Sequence, residues 1–105
     1  MSNNTSPTTL LFTFEGPITA YGFGAVITAW TVNGCRVRTD HVETDYFEAD
    51  HVEMSVYGAP VDILTLLRQY AKTVENIETG DYYLFPSGTV VTWHYAPEGW
   101  DWPGE

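Results

Sequence analysis

Short segments rich in β-branched and aromatic residues, each ending near Gly, Pro or Asn, constrain the fold of this chain more than any other feature. Segments of about four to eight such residues are typical of β-strands, because amphipathic helices need longer runs with a 3.6-residue period. They occupy residues 10–14, 25–32, 35–42, 51–57, 82–85 and 89–95. Their spacing predicts an antiparallel sheet of five to six strands.

The dipeptide Asn33-Gly34 is the strongest local signal among these segments, because it directly follows the strand-like residues 25–32. Asn-Gly suits the positive φ angles of a two-residue type I′ turn and therefore predicts a β-hairpin. We expect 25–32 to pair with 35–42. Side chains alternate along a strand, so Arg36 and Arg38 should both face water.

One segment, 60–74, has the period of an amphipathic helix rather than a strand. Pro60 suits the first helical turn, and Asp62 near the start and Arg68 near the end complement the helix dipole. The apolar stripe of this helix comprises Val61, Leu64, Leu66, Leu67, Tyr70, Ala71 and Val74. The order of elements predicts an α+β fold, with one helix packed on one face of the antiparallel sheet.

The polar ends of the chain differ in composition from its middle. Residues 1–9 contain Pro7 and almost nothing to bury, which predicts a flexible N-terminal arm. Residues 10–105 have the size of one domain. Its acidic C-terminal tail, from Ala96 onward, contains tryptophan and is too rich in Pro and Gly for regular structure.

The charge balance restricts the class of partner. Four Lys and Arg against fourteen Asp and Glu give a formal net charge of −10. Proteins that bind nucleic acid or anionic membranes directly need a basic surface, so we expect neither kind of binding. A basic protein or nucleoprotein complex is the expected partner, and the chain itself is expected to be a monomer or small homo-oligomer.

The cysteine content and the first residues favour an intracellular, cytoplasmic localisation. Cys35 is the single cysteine, which rules out a disulfide within the chain. The first nine residues lack the basic and apolar regions of a signal peptide. No apolar run reaches the roughly 18 residues that a membrane-spanning helix needs.

Acidic residues are concentrated in the segment 40–53, which contains no Lys or Arg. Alternate carboxylates on a strand lie about 6.6 Å apart, close to the repeat of phosphates along a nucleic-acid strand. Tryptophan in the tail adds possible anchors, because Trp is enriched at interfaces. The predicted partner-binding residues are Asp40, Glu43, Asp45, Glu48, Asp50, Glu53, Trp100, Asp101 and Trp102. The alternatives are a solubilising surface for the acids and, favoured for the two indoles, packing back on the domain.

The tetrapeptide Asp-His-Val-Glu occurs twice, at 40–43 and 50–53. In extended chain the His and Glu of each copy share a face, and two such sets suit a divalent transition metal. Nothing in the sequence places the copies side by side, however, and Val42 and Val52 are equally well explained as core residues. We therefore expect no metal, no other cofactor and no catalytic residue. Cys35 has no base that the sequence places beside it.

In its size, acidity, single-domain form and lack of an enzyme motif, the chain resembles the small acidic inhibitors that phages and mobile elements make against host defence systems, including anti-CRISPR proteins. This resemblance rests on the profile of the whole chain and carries no site residue. It implies a non-enzymatic protein that binds a basic, nucleic-acid-handling host protein or complex and inhibits it, sterically or by nucleic-acid mimicry. Two alternatives remain open: an immunity protein that caps a basic nuclease toxin, and a small metal-dependent enzyme built on the two Asp-His-Val-Glu copies.

Overall fold

The computed structural model describes residues 6–45 and 48–102. Over these residues the elements are β1 (Thr8–Glu15), a π-helical segment (Ala20–Gly24) that continues into α1 (Ala25–Val32), β2 (Arg36–Asp45), β3 (Glu48–Gly58), α2 (Pro60–Arg68), β4 (Lys72–Val74), β5 (Tyr82–Leu84) and β6 (Val90–Tyr95). The described strands form one antiparallel sheet in the order β2-β3-β1-β6-β5-β4. The predicted α+β class, with five to six antiparallel strands and a helix on one face, is confirmed.

Alternation along the central strands places the core on one face of the sheet. In β1, the apolar residues Leu10, Phe12 and Phe14 are buried and alternate with residues that face the other way. Their antiparallel partners in β3, Val56, Met54 and Val52, are buried on the same face. We call this the helix-covered face and its reverse the open face.

The two helices close the core over the helix-covered face. Trp30 of α1 is fully buried, and its ring lies 4.9 Å from that of Phe12. Its indole N–H donates a hydrogen bond of 3.0 Å to the carbonyl of Ile63 in α2, so the one polar atom of this ring is satisfied inside the core. Trp30 therefore joins both helices to the central strand.

The prediction of a strand at 25–32 is wrong, since these residues form α1. Only Gly34 of the Asn-Gly pair has a positive φ, +86°, whereas Asn33 has φ −88°. The Gly34 N–H donates to the carbonyl of Thr31, and the Cys35 N–H donates to that of Trp30, at 3.1 and 3.0 Å. This pattern is a Schellman motif, which ends a helix with glycine in the same left-handed conformation that a hairpin turn requires. β2 accordingly pairs with β3 instead.

The second helix is shorter than the predicted segment 60–74. It ends at Arg68, and Lys72–Val74 forms an edge strand that pairs with β5. Within the predicted stripe, Leu67 and Ala71 are buried, but Val61 is exposed. The β-branched residues at 73 and 74 suit this edge strand better than another helical turn. No helix of the described ranges is long and apolar enough to cross a membrane.

The sheet begins inside the predicted N-terminal arm. β1 starts at Thr8, and both Thr8 and Thr9 pair with residues at the end of β3. The arm assigned to 1–9 is therefore too long by two residues, and its residues 1–5 lie outside the described part of the chain.

Candidate partner-binding surface

The hairpin formed by β2 and β3 brings the two Asp-His-Val-Glu copies side by side. The copies at 40–43 and 50–53 pair antiparallel about Val42 and Val52, so the His of each copy lies opposite the Glu of the other. The sequence alone does not reveal this pairing. It follows from the register of β3, which is fixed by residues that must face the core, because a slip of one residue would turn every side chain to the other face.

The His and Glu residues of both copies lie on the open face. Val52 and Met54 are buried on the helix-covered face, so the alternating residues His51 and Glu53 face the opposite way. Glu15, the last residue of β1, pairs with His51 and shares this face. The resulting His–Glu cluster consists of Glu15, His41, Glu43, His51 and Glu53.

His51 is the centre of the His–Glu cluster, with carboxylate oxygens at both ring nitrogens. Its Nδ1 lies 2.6 Å from Oε1 of Glu15, and its Nε2 lies 2.8 Å from Oε2 of Glu53. Oε2 of Glu43 is 3.8 Å from the same Nε2. A neutral imidazole has one donor, whereas a protonated ring donates from both nitrogens. The geometry therefore fits an imidazolium that ties together three neighbouring strands.

Hydrogen bonding and charge shift the pKa values of His51 and Glu53 in opposite directions. The hydrogen bond with Glu53 is the main cause that raises the pKa of His51; Glu15 and the charge of Glu43 add to it, and desolvation opposes it. The hydrogen bond from His51 is in turn the main cause that lowers the pKa of Glu53. Both directions favour the ion pair.

The second histidine of the cluster has a looser arrangement. His41 Nε2 lies 3.2 Å from Oε2 of Glu43, and the His41 and His51 rings are 6.0 Å apart. Within 6–45 and 48–102, no group of three or more His, Cys, Asp or Glu side chains is placed to hold a metal ion. Cys35 lies apart from the cluster, and burial, together with the charge of Asp62, raises the pKa of its thiol.

The predicted row of evenly spaced carboxylates is interrupted by two irregularities of the hairpin. The register shifts between Thr39 and His41, where Asp40 is the extra residue, and again between Glu43 and Thr44. Asp40 Oδ2 accepts a hydrogen bond of 2.5 Å from the Ser55 hydroxyl. Its Oδ1 lies 3.7 Å from Nε of Arg38. Asp40 is therefore engaged within the chain, as Glu43 and Glu53 are through the histidines.

The remaining predicted acids of the hairpin lie at the end where β2 meets β3. Asp45 is directly opposite Glu48 across the hairpin, and both are exposed. Asp50 follows on β3, while Tyr46 and Phe47 lie outside the described residues. The acidic end, as we define it, consists of Glu15, Glu43, Asp45, Glu48, Asp50 and Glu53.

The Lys and Arg side chains lie outside the acidic end, although Arg38 pairs with Ser55, which is two residues from Glu53 on β3. Arg36 begins β2, about 30 Å from Asp45 along the strand at roughly 3.3 Å per residue. Arg68 and Lys72 lie at the end of α2 and on β4, which is five strands away from β2. The basic side chains within the described part of the acidic end are thus His41 and His51.

The two tail indoles pack back on the domain at the other end of the open face. The Trp100 and Trp102 rings are 5.4 Å apart in an edge-to-face arrangement, and both residues are half-buried. The Arg36 guanidinium lies 4.4 Å from the centroid of the Trp102 ring. Asp101 between them is exposed. The structure therefore separates the tail residues from Asp45 and Glu48, but it brings Trp100 close to Asp40 and Glu53.

Sequence reasoning omitted Glu15, His41 and His51 from the predicted surface. For Glu15 the sequence did contain a signal. Side chains alternate along a strand, so Glu15, two residues after Thr13, lies on the same polar face of β1 as Thr13. The contacts of His51 depend on strand pairing across 36 residues and had no local signal.

In comparisons with known proteins, no protein-family model, no curated protein and no solved structure matches the chain.

Proposed function

We propose that this chain is a non-enzymatic binding protein whose acidic end docks on a basic, nucleic-acid-handling surface of a host protein or complex and inhibits it by occupying that surface. The separation of charge along the β2–β3 hairpin carries this proposal. Six carboxylates lie at one end with two histidines, while the Arg residues of the hairpin lie at the other end.

The placement of the charge supports docking more than solubility alone. A solubilising surface is served by acids that are spread evenly, whereas a cluster creates a local potential that steers a basic partner. Asp45 and Glu48 face each other across the hairpin, an arrangement that costs folding stability because like charges repel. A basic partner would relieve this repulsion on binding.

The shape of the acidic end favours a compact patch over an extended imitation of a nucleic-acid strand. The register shifts at Asp40 and beyond Glu43 break the regular spacing that a row of phosphate mimics requires. The edge strand β2 adds a further restriction, because charged side chains on an edge oppose pairing with another sheet. The acidic end therefore binds through side chains, and it blocks nucleic acid by occupying the same basic surface.

Two triple variants with the same change in net charge test this proposal. D45K/E48K/D50K reverses the acidic end, and E75K/E78K/D81K reverses three exposed acids outside it. Protamine, an arginine-rich DNA-binding protein, serves as the probe, and association is followed by stopped-flow fluorescence at two ionic strengths. We expect the first variant to weaken binding more than about tenfold, mainly through the on-rate, and to flatten its salt dependence.

The control variant should retain most of the binding, because its reversed charges lie between β4 and β5, at the opposite edge of the sheet from β2, and charge interactions are screened over a Debye length of about 8 Å. Equal losses for both variants would show that net charge alone attracts the probe, and the proposal would then be wrong. A natural partner identified by affinity capture must also discriminate between the variants. Simultaneous binding of DNA and this protein to that partner would contradict inhibition by occupation.

A further inference from the structure

A cavity of about 430 Å³ lies on the open face, between the tail and the middle of the hairpin. A volume of this size is within the range of small-ligand sites. Its lining residues come from four strands and the tail: Leu11, Phe12, Thr13, Asp40, Glu53, Met54, His94 and Trp100. Of the six carboxylates of the acidic end, Glu53 alone is among these lining residues.

The lining combines two carboxylates with an indole and an apolar side chain. Asp40 and Glu53 supply the negative charge, Trp100 supplies an aromatic ring, and Leu11 supplies apolar surface. An alkyl chain that ends in a cation matches all three features, since its stem packs on apolar surface while its head binds carboxylate and aromatic face. A guanidinium fits better than an ammonium, because its planar fork stacks on an indole and binds carboxylates in pairs.

The fold already applies the same chemistry to its own arginines beside this cavity. The Arg36 guanidinium lies 4.4 Å from the ring centroid of Trp102, whose ring contacts Trp100. The Arg38 Nε lies 3.7 Å from the Asp40 carboxylate. The indole pair and the carboxylate are therefore surfaces that accept guanidinium groups within this molecule.

The carboxylates retain acceptor capacity toward the cavity. Glu53 accepts from His51 through Oε2, while Asp40 accepts from Ser55 through Oδ2 and lies 3.7 Å from Arg38 Nε through Oδ1. A carboxylate has about four acceptor sites on its two oxygens, so these contacts do not saturate either group. The nearby basic groups are Arg38 beside Asp40 and His51 beside Glu53, and His94 lines the cavity itself.

We propose that this cavity binds an arginine side chain of the basic partner, held by the carboxylates of Asp40 and Glu53 against the Trp100 indole. The inference deepens the proposed function and rests on it. The acidic end steers the partner by long-range charge, and the cavity captures one side chain at short range. Arginine is frequent among the residues that dominate binding energy at interfaces, especially in desolvated pockets.

The test uses the full chain labelled with ¹⁵N and two small probes, N-acetyl-arginine amide and N-acetyl-citrulline amide. Citrulline has nearly the shape of arginine without its charge. We expect the arginine probe to shift the indole N–H signal of Trp100 saturably, and the citrulline probe to bind about tenfold more weakly. The signal of Trp30, whose N–H is bonded inside the core, is the internal reference.

Matched variants locate the site. Glu53→Gln and Trp100→Leu should each weaken the binding of the arginine probe severalfold. Glu75→Gln, which removes the same charge from an exposed residue outside both the cavity lining and the acidic end, should leave the affinity nearly unchanged. Far-UV circular dichroism checks that each variant is folded. Equal shifts with both probes, or equal effects of Glu53→Gln and Glu75→Gln, would overturn the proposal.

Failure of this inference is distinguishable from failure of the proposed function. D45K/E48K/D50K should still bind the arginine probe at the cavity, and Trp100→Leu should keep the salt-dependent on-rate with protamine. If Trp100→Leu leaves the probe unaffected while D45K/E48K/D50K abolishes steering, the cavity is not the arginine site but the acidic end still docks. If the probe binds as expected and steering is unaffected, the cavity stands and the acidic end does not dock.

Discussion

The charged side chains at the two ends of the β2–β3 hairpin differ in the contacts that they make within the chain. At the end near Arg36, the cations are matched within the chain, since Arg36 packs on Trp102 and Arg38 lies beside Asp40. At the acidic end, Asp45 and Glu48 oppose each other across the strands, and the basic side chains that lie beside its carboxylates in the described ranges are His41 and His51. The cations of one end therefore have partners within the chain, whereas at the other end two like charges face each other.

This difference indicates that Asp45 and Glu48 of the acidic end do not stabilise the fold, because they are like charges that face each other. The core on the helix-covered face supplies the fold, and the open face is free to hold an unfavourable charge distribution. Both ends belong to the same pair of strands, so they share the same backbone support. The two ends differ in whether their charged side chains have partners of favourable charge within the chain.

The largest expected effect on stability comes from a core substitution. Comparing it with a substitution at the Arg36 end tests how much that end of the hairpin contributes to the unfolding free energy. Trp30→Ala removes a fully buried ring and its hydrogen bond to Ile63, so we expect unfolding free energy to fall by about 3–5 kcal/mol. Arg36→Ala should cost less than about 1 kcal/mol, because its contact with Trp102 is exposed. Urea denaturation followed by far-UV circular dichroism measures both. Similar losses would mean that the Arg36 end is structural, and the comparison would fail.

Much of the sheet could be predicted from sequence, because alternation in β1, β3 and β6 is local information. α1 could not, because the Asn33-Gly34 signal is shared by two structures that both need a positive φ at glycine. The choice between them depends on whether Val26 and Trp30 meet a core on one helical face, and that core is assembled by distant strands.

The candidate site likewise has one part that local sequence predicts and another that depends on contacts between distant segments. The concentration of acids in 40–53 could be predicted from the sequence, but their placement on the adjacent strands β2 and β3 could not, because it depends on how these strands pair. The His–Glu cluster could not be predicted either, because His51 meets Glu15 only through the pairing of β1 with β3. The cavity beside Trp100 likewise depends on where an irregular tail packs, for which the chain has no periodic signal.

A pH-dependent effect sharpens the comparison at the His–Glu cluster. The pKa of His51 is raised, so its contribution to stability is complete below the ordinary histidine value of 6.5 and is lost as pH rises through the raised pKa. The pKa of Glu53 is lowered, so its contribution is complete above the ordinary value of 4.5 and is lost as pH falls through the lowered pKa. The cluster therefore stabilises the fold most between about pH 4.5 and 6.5.

The measurement is the difference in unfolding free energy between the wild type and His51→Gln across pH 4 to 9. We expect this difference to be largest in that window and to shrink toward alkaline pH. In the background of Glu15→Gln with Glu53→Gln, removal of His51 should have a smaller pH-dependent effect, because Glu43, 3.8 Å from Nε2, is then the one carboxylate left of the three around His51. A difference that grows toward alkaline pH would contradict the ion pair.

The smallest expected effect concerns the repulsion at the acidic end itself. Asp45 lies directly opposite Glu48, and replacing it with lysine converts a like-charge pair into an opposite-charge pair. Cross-strand pairs of this kind differ by roughly 0.2–1 kcal/mol, so Asp45→Lys should raise the unfolding free energy by that amount while weakening binding to protamine. Asp81→Lys, an equal charge change at an exposed residue outside the hairpin, is the control for net charge. A gain in stability together with a loss of binding is the signature of charge that is unfavourable for folding and useful for docking. If Asp45→Lys destabilises the chain instead, the carboxylate has a structural partner and the two ends of the hairpin do not differ as described.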